Sequence, residues 1–243
     1  MRILAIDLGN TNVHAALFRG RDREAEAVRP IAGLSSLVFD WGTGTPPDLV
    51  AAASVNLEAE PALARWAAAA GLRLAFVPRD IPYPIPVRLP RPDLAGPDRI
   101  LAVAAALEDA AGPQVVVNAG TAVTVDLATP AEGFLGGAIL PGLRLMAGAL
   151  HSGTSRLPLV DPSPLDDPLG TGTEEAIRAG VFLGWIGAVR EVVDRMVRKA
   201  GPCRVVASGG DAGFLQGRVP AVSEVRKGLV LEGLRIAVEK HFD

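Results

Sequence analysis

The sequence predicts a duplicated α/β protein, two halves of mixed strand and helix with a cleft between them. Three observations lead there. Period-two alternation twice brackets a small-residue turn, in RILAID and VHAALF around Gly9-Asn10 and in VVVNAG and AVTVDLA around Gly120-Thr121. Each hairpin is followed by a further strand and an apolar helix rich in Ala and Leu. The 243 residues suffice for two domains, which we place at 1–110 and 111–243. The simpler alternative is a single open α/β sheet whose two Gly-Thr turns are alike by chance.

In the first half, AAASV (51–55) reads as a third strand and PALARWAAAAGL (61–72) as a helix with Gly71 near its C-cap. LAFV (74–77) reads as another strand. Residues 78–97 hold seven prolines, which exclude an internal helix and favour extended, turn-rich chain. RILAVAAALEDA, opened by Asp98, is helical. In the second half GFLGGAIL is a strand, LRLMAGALHSG a helix, and 174–199 a long helix. Strand CRVVAS, the turn Gly209-Gly210-Asp211 and a final helix KGLVLEGLRIAVEKHF complete it.

Composition narrows the function classes. With 49% hydrophobic and 21% charged residues and a net charge of −3, the chain reads as an ordinary globular protein whose basic residues form no stripe for nucleic acid. The single Cys203 leaves no internal disulfide and fits a reducing compartment. The apolar run ILAI, ended by Asp7, is too short for a signal-peptide core or a membrane span. A cytoplasmic protein is expected, with no nucleic-acid or membrane partner.

The turns carry the chemistry. Asp7-Leu8-Gly9-Asn10-Thr11-Asn12 ends a strand in a small, hydroxyl- and amide-rich turn whose N–H groups can converge on an anion. A carboxylate there would repel phosphate unless a divalent cation lay between them, as Mg²⁺ held through oxygen or water would. The plainer reading is a hairpin that favours Asn and Gly. Asn118-Ala119-Gly120-Thr121 repeats the layout with an amide in place of the acid, and Ser208-Gly209-Gly210-Asp211 adds a third small-residue turn. Neither a GxxxxGK[ST] loop nor a GxGxxG fingerprint is present. Gly96-Pro97-Asp98-Arg99 sets a carboxylate beside a guanidinium at a helix start, suited to taking a hydroxyl proton and steadying a phosphoryl group. The plainer reading, which the spacing alone favours, is that Asp98 is an ordinary N-cap and Arg99 a surface residue.

DLGNTN, GPDR, NAGTAVTVD, GGAILPGLRLMAGAL, TSRLP, GTGTEEAIRAGV and ASGGDA, in this order, resemble the blocks of type III pantothenate kinases, of the actin-like sugar kinase and heat-shock ATPase superfamily. The resemblance implies two actin-like, ribonuclease H-like domains and ATP-dependent phosphorylation of pantothenate to 4′-phosphopantothenate, the first step towards coenzyme A. It implies that Asp7, Leu8, Gly9, Asn10, Thr11, Asn12, Val13 and His14 form the ATP phosphate loop, with Asp7 near Mg²⁺, and that Thr121 also meets the ATP phosphates. Gly96, Pro97, Asp98 and Arg99 would line the pantothenate site, Asp98 accepting the hydroxyl proton and Arg99 gripping the substrate carboxylate. Thr173 matches a position that reaches pantothenate from the partner subunit, implying a two-fold homodimer with composite sites.

Two positions depart from the family pattern. Pro97 replaces a small residue in GxDR and, with φ fixed at a helix start, stiffens the turn. Asn118 stands where the family has an Asp that binds a monovalent cation, K⁺ or NH₄⁺; an amide oxygen can coordinate the ion but lacks the charge that attracts it. A nucleotide-binding regulator that has lost turnover, or a kinase for another small hydroxyl acceptor, are the competing readings. Residues left with structural roles are His14 as a strand residue, Asp126, Trp41, Trp66 and Trp185 in packing or interfaces, and Glu174 and Glu175 as first-turn helix acids.

Overall fold

The computed structural model describes residues 1–32 and 45–242; Trp41 lies outside them. Along the chain run β1 (Arg2–Leu8), β2 (Asn12–Arg19), β3 (Asp22–Pro30), β4 (Leu49–Ser54), α1 (Glu60–Ala69), β5 (Leu74–Phe76) and α2 (Pro97–Leu107). Then follow β6 (Gln114–Ala119), β7 (Ala122–Thr129), β8 (Gly133–Pro141), α3 (Leu143–Ser152), α4 (Thr173–Ala200), β9 (Arg204–Ser208), β10 (Glu224–Val225) and α5 (Leu229–Phe242). By packing the chain forms two compact units, Met1–Glu108 with Glu132–Phe134 and Gly228–Asp243, and Asp109–Ala131 with Leu135–Lys227. The final helix therefore returns to the first unit, a long-range choice that a division at residue 110 does not express.

The sheet of the first unit has the order β3-β2-β1-β4-β5, with β1 antiparallel to β2 and parallel to β4. Alternation sorts its faces. Leu4, Ile6, Leu8, Val13, Ala15 and Leu17 bury one face with Leu63 of α1 and Phe76 of β5. The other face is floored by small residues, Ala5 in register with Ala16 and Ala51, and Ala53 in register with Asp7. α5 packs on β1 and α2 on β4. Small side chains let helices lie close to the strands. The helix pair is closer still, since a side chain at Gly233 would meet the backbone of Leu101. Arg235 of α5, 3% exposed, pairs with Glu108 at the end of α2 at 2.6 Å and with Glu239. Arg23 of β3 reaches Glu232 at 3.0 Å, and the Lys240 Nζ donates to the Pro84 carbonyl at 3.1 Å.

The second sheet, read from β8, has the order β8-β7-β6-β9-β10. This is the first unit's order element for element, and again the leading strand is antiparallel to its hairpin partner and parallel to the fourth strand. Phe182, Trp185 and Val189 of α4 pack on Val115, Val117, Val123 and Val125, with Phe182 edge-on to Phe214 at 5.8 Å. Glu174 and Glu175 occupy the first turn of α4, and Arg198 and Lys199 the last, each complementing the helix dipole. Trp185 is a core residue and Trp66 packs against the apolar face of the first sheet. The sequence reading did not foresee β3. Its residues DREAEAVRP are mostly exposed, as an edge strand guarded by charge should be, and that polarity reads as loop.

The α2–α5 crossing is testable through two glycines. Ala is the better helix former by about 1 kcal/mol. Gly180 of α4 has no atom near its missing Cβ, so Gly180→Ala should stabilise the protein by about that amount. Gly233→Ala should instead lower stability by about 1–3 kcal/mol, because the Leu101 backbone must move. Urea unfolding of both variants measures the contrast.

Candidate active site

Asp7 is the penultimate residue of β1, on the small-residue face, facing His14 of β2 and Ala53 of β4 in register. Beyond it the chain turns at Gly9, whose N–H donates to the Asn12 carbonyl at 3.0 Å; a side chain at Gly9 would crowd that carbonyl. Asn10 and Thr11 are exposed at the tip, Asn12 and His14 half-buried, and Leu8 and Val13 anchor the turn in the core. Burial, against the smaller opposing pull of Glu26, pushes the His14 imidazole below its ordinary range. The expected phosphate loop is thus an exposed tip between two buried anchors.

Gly96 is the N-cap of α2, Pro97 opens the helix, and no side chain caps it. The cap reading of Asp98 gives way, because Gly96 is the N-cap and Asp98 lies two residues past it, inside the helix. A side chain on Gly96 would fall on the Asp98 carboxylate, so glycine here clears space for that group. Asp98 lies within electrostatic reach of Asp7. Burial first, and the Asp98 charge second, push the Asp7 carboxyl up to about 7. Two acids so placed, one desolvated, form a donor set that a divalent cation would relieve on both counts. Arg99 is half-buried, with its guanidinium 5.5 Å from the centre of the Phe134 ring.

In the second unit Asn118 holds the place of Asp7. It is penultimate in β6 and stands in register with Thr124 of β7 and Ser208 of β9, the counterparts of His14 and Ala53. The Gly120 N–H donates to the Ala122 carbonyl at 3.0 Å, as Gly9 does to Asn12. Thr121 is exposed beside Gly142, which caps α3 and donates its N–H to the Thr121 carbonyl at 3.1 Å. The start of α3 therefore lies beside this turn, where its unpaired N–H groups favour an anion. Gly209, at φ +97°, lies against the Ala119 backbone, and the Asp211 N–H donates to the Ala119 carbonyl at 3.1 Å. Within the second unit the turns at Gly120, Gly142 and Gly209 thereby lie together. Asp126 is 1% exposed beneath Gly137, and the Thr124 hydroxyl is buried without a hydrogen-bond partner. Thr173 is exposed at the start of α4.

Tyr83 and Phe134 escaped the sequence reading. Tyr83, the chain's single tyrosine, sits half-buried on the proline-rich segment before α2, within electrostatic reach of Asp98. Its proline neighbours signalled only extended chain. Phe134 begins an apolar strand, and its partnership with Arg99 spans a large sequence separation.

The topology is shared by solved structures. A Baf-family protein from Campylobacter jejuni aligns over 98% of both chains with a TM-score of 0.64 and 21% identity. A ROK hexokinase from Thermus thermophilus aligns over 98% of both chains at 0.50 and 16% identity. At those identities the likeness is one of fold. Together with the repeated strand order it defines a fold of two duplicated actin-like α/β domains.

The family description for type III pantothenate kinase matches residues 3–195. Such a kinase from Moorella thermoacetica is 31% identical over 256 residues, 98% of this chain and 99% of the relative. One from Porphyromonas gingivalis is 35% identical over 245 residues, 97% of each chain. The match to one from Ruegeria sp., 35% identical, spans 66% of this chain and 62%, less than two thirds, of that relative's length. The chain belongs to the type III pantothenate kinase family.

The raised Asp7 carboxyl fixes a pH dependence. An unfolded Asp titrates near about 3.9, so between about pH 4 and 7 the folded, metal-free protein holds a proton the unfolded chain has released. Stability from this group therefore falls as pH rises through that window. In EDTA, Asp7→Asn should be more stable than the parent at pH 8, by on the order of 2–4 kcal/mol, with the difference gone by pH 4. Urea titrations at the two pH values measure it.

Proposed function

We propose that this chain transfers the γ-phosphoryl group of ATP to the hydroxyl of pantothenate, giving 4′-phosphopantothenate and ADP. The observation that carries the reading is the approach of Asp98, at the start of α2, to Asp7, at the end of β1. Phosphoryl transfer needs an acceptor for the hydroxyl proton close to a metal-nucleotide site, and these two acids supply that juxtaposition. Membership of the family supplies the acceptor's identity.

In this reading residues 7–14 present N–H, amide and hydroxyl donors to the phosphates. Asp7 would hold Mg²⁺, through water, and the ion would neutralise charge on the phosphate oxygens. Asp98 accepts the hydroxyl proton through its carboxylate. Arg99, steadied on Phe134, binds the carboxylate of pantothenate, a group matched to a guanidinium fork. Gly96 and Pro97 offer a backbone wall without bulk.

Thr173 serves the partner subunit's site in a homodimer. Ile139, Leu145, Leu150, Leu159 and Leu169, exposed on the second unit, supply apolar surface for such an interface. No helix among the described residues is long and apolar enough to cross a membrane. The reading locates the reaction in the cytoplasm, where the lone Cys203 stays reduced.

Purified protein with Mg-ATP and pantothenate should release ADP and form a phosphorylated product, detectable by coupled assay and mass spectrometry. Asp98→Asn should cut kcat by about 10²–10⁴ while ATP affinity is kept. Gly96→Ala should lower kcat with an unchanged thermal midpoint, because the atom it displaces is the tip of the Asp98 side chain and not backbone. Failure of wild-type protein to turn over pantothenate while it phosphorylates another alcohol would reassign the acceptor.

The amide at Asn118 weakens the pull on a monovalent cation in this reading. At constant ionic strength the wild-type rate should respond equally to KCl and NaCl, and Asn118→Asp should introduce a saturable K⁺ requirement. A steep K⁺ requirement in wild-type protein would overturn this part.

A further inference from the structure

Gly170-Thr171-Gly172-Thr173 ends the connection between α3 and α4, and its residues are fixed in different ways. A side chain at Gly170 would collide with the Ala176 nitrogen, so the connection lies backbone to backbone against the first turn of α4. Gly172 is the N-cap, with extended backbone, and its carbonyl accepts from the Ala176 N–H at 2.9 Å. No side chain caps the helix. Glu175 instead reaches back past the cap, where its Oε2 accepts from the Thr171 hydroxyl at 2.7 Å and from the Thr171 N–H at 3.0 Å. A capping box sends its acid to the N-cap N–H; here the acid goes one residue further and takes two donors. The clasp closes a ring over residues 171–175 whose middle member is the exposed Thr173. The connection is held again upstream. Arg218 donates to the Asp166 carboxylate from Nε at 3.0 Å and from Nη2 at 2.8 Å. The same guanidinium lies 5.3 Å from the ring centre of Phe182, a core residue of α4. Residues 166–172 are therefore tied at both ends to the helix that Thr173 begins.

We propose that Glu175 is a positioning residue for Thr173, its clasp on Thr171 fixing the backbone from which the Thr173 hydroxyl is offered to the acceptor. The inference rests on the assignment of Thr173 to the acceptor site of the partner subunit. Without the clasp this stretch would be loose, because two glycines flank Thr171 and the first turn of a helix lacks backbone partners for its N–H groups. A hydroxyl on a loose turn must be ordered when the acceptor binds, and that ordering weakens binding. The ring removes the cost beforehand. The Thr171 hydroxyl first, and then its N–H, hold the Glu175 carboxyl below the usual carboxylate range, so an ionised acid closes the clasp at neutral pH. Charge-assisted bonds of this kind are stronger than neutral ones. Because the Thr173 hydroxyl binds the acceptor and moves no proton, the clasp acts on acceptor affinity and leaves the chemical step alone.

Glu175→Ala opens the clasp and leaves the Thr173 hydroxyl in place; Thr173→Val removes that hydroxyl and keeps its shape. Steady-state kinetics and thermal midpoints of the two single variants and of the double variant test the idea. Each single variant should raise KM for pantothenate by about three- to tenfold, with less than about a twofold change in kcat and in KM for ATP, the pattern of lost ground-state binding. The double variant should be no worse than Thr173→Val alone, because Glu175 works through that hydroxyl. A Glu175→Ala protein whose midpoint falls while KM stays at the wild-type value overturns the proposal and leaves the clasp as a helix cap. So does a KM penalty in the double variant equal to the product of the single ones. A wild-type KM in Thr173→Val overturns the assignment of Thr173 itself, and wild-type protein inert towards pantothenate overturns the functional reading; failure of the clasp alone produces neither result.

Discussion

The first unit depends on the crossing of α2 and α5. Gly233 lets α5 approach the Leu101 backbone directly, and Arg235, buried to 3% exposure, binds Glu108 at the C-terminal end of α2. A buried guanidinium without its carboxylates would be costly, so the pairing selects one register of the two helices. That register decides where the other end of α2 falls. Because the sheet beneath is floored with alanines, the helix pair seats low on it, and Asp98 arrives near Asp7 at the end of β1. Residues in the last stretch of the chain thereby determine where Asp98, far from them in sequence, is placed.

The two sheets repeat one topology, yet their penultimate residues diverge. Asp7 faces His14 and Ala53; Asn118 faces Thr124 and Ser208. In the first unit a carboxylate stands in register with His14 and Ala53, where burial and the Asp98 charge both disfavour its ionised form. In the second the same place holds an amide, in register with two hydroxyl residues, Thr124 and Ser208. The two copies share one strand order and register and differ in the side chains set on it.

Much of this was legible in the sequence for a physical reason. Both hairpins are written by alternation and a glycine, signals local to about a dozen residues, and the helices by apolar periodicity. Asp7, Asp98 and Arg99 could be picked out because acids and a guanidinium beside small-residue turns are chemically conspicuous. The edge strand β3 was hidden by its charges, and the return of α5 to the first unit by the absence of any local mark for a long-range contact. Tyr83 and Phe134 were hidden for the same cause. A tyrosine among prolines has no periodicity to declare it, and the ring that supports Arg99 lies far along the chain.

The four residues of GPDR now have separate stereochemical reasons. Gly96 has an ordinary negative φ, so its role is not backbone freedom but space: a side chain there would take the position of the Asp98 carboxylate. Pro97 opens the helix where a missing N–H costs nothing, and its fixed φ leaves Asp98 fewer conformations to lose. Asp98 then faces the first strand's acid while Arg99, one residue on, turns to the ring of Phe134. Adjacent helical residues point about a quarter-turn apart, so a carboxylate and a guanidinium side by side in sequence need not pair with each other. Their separation leaves the two groups to different neighbours, Asp7 and Phe134.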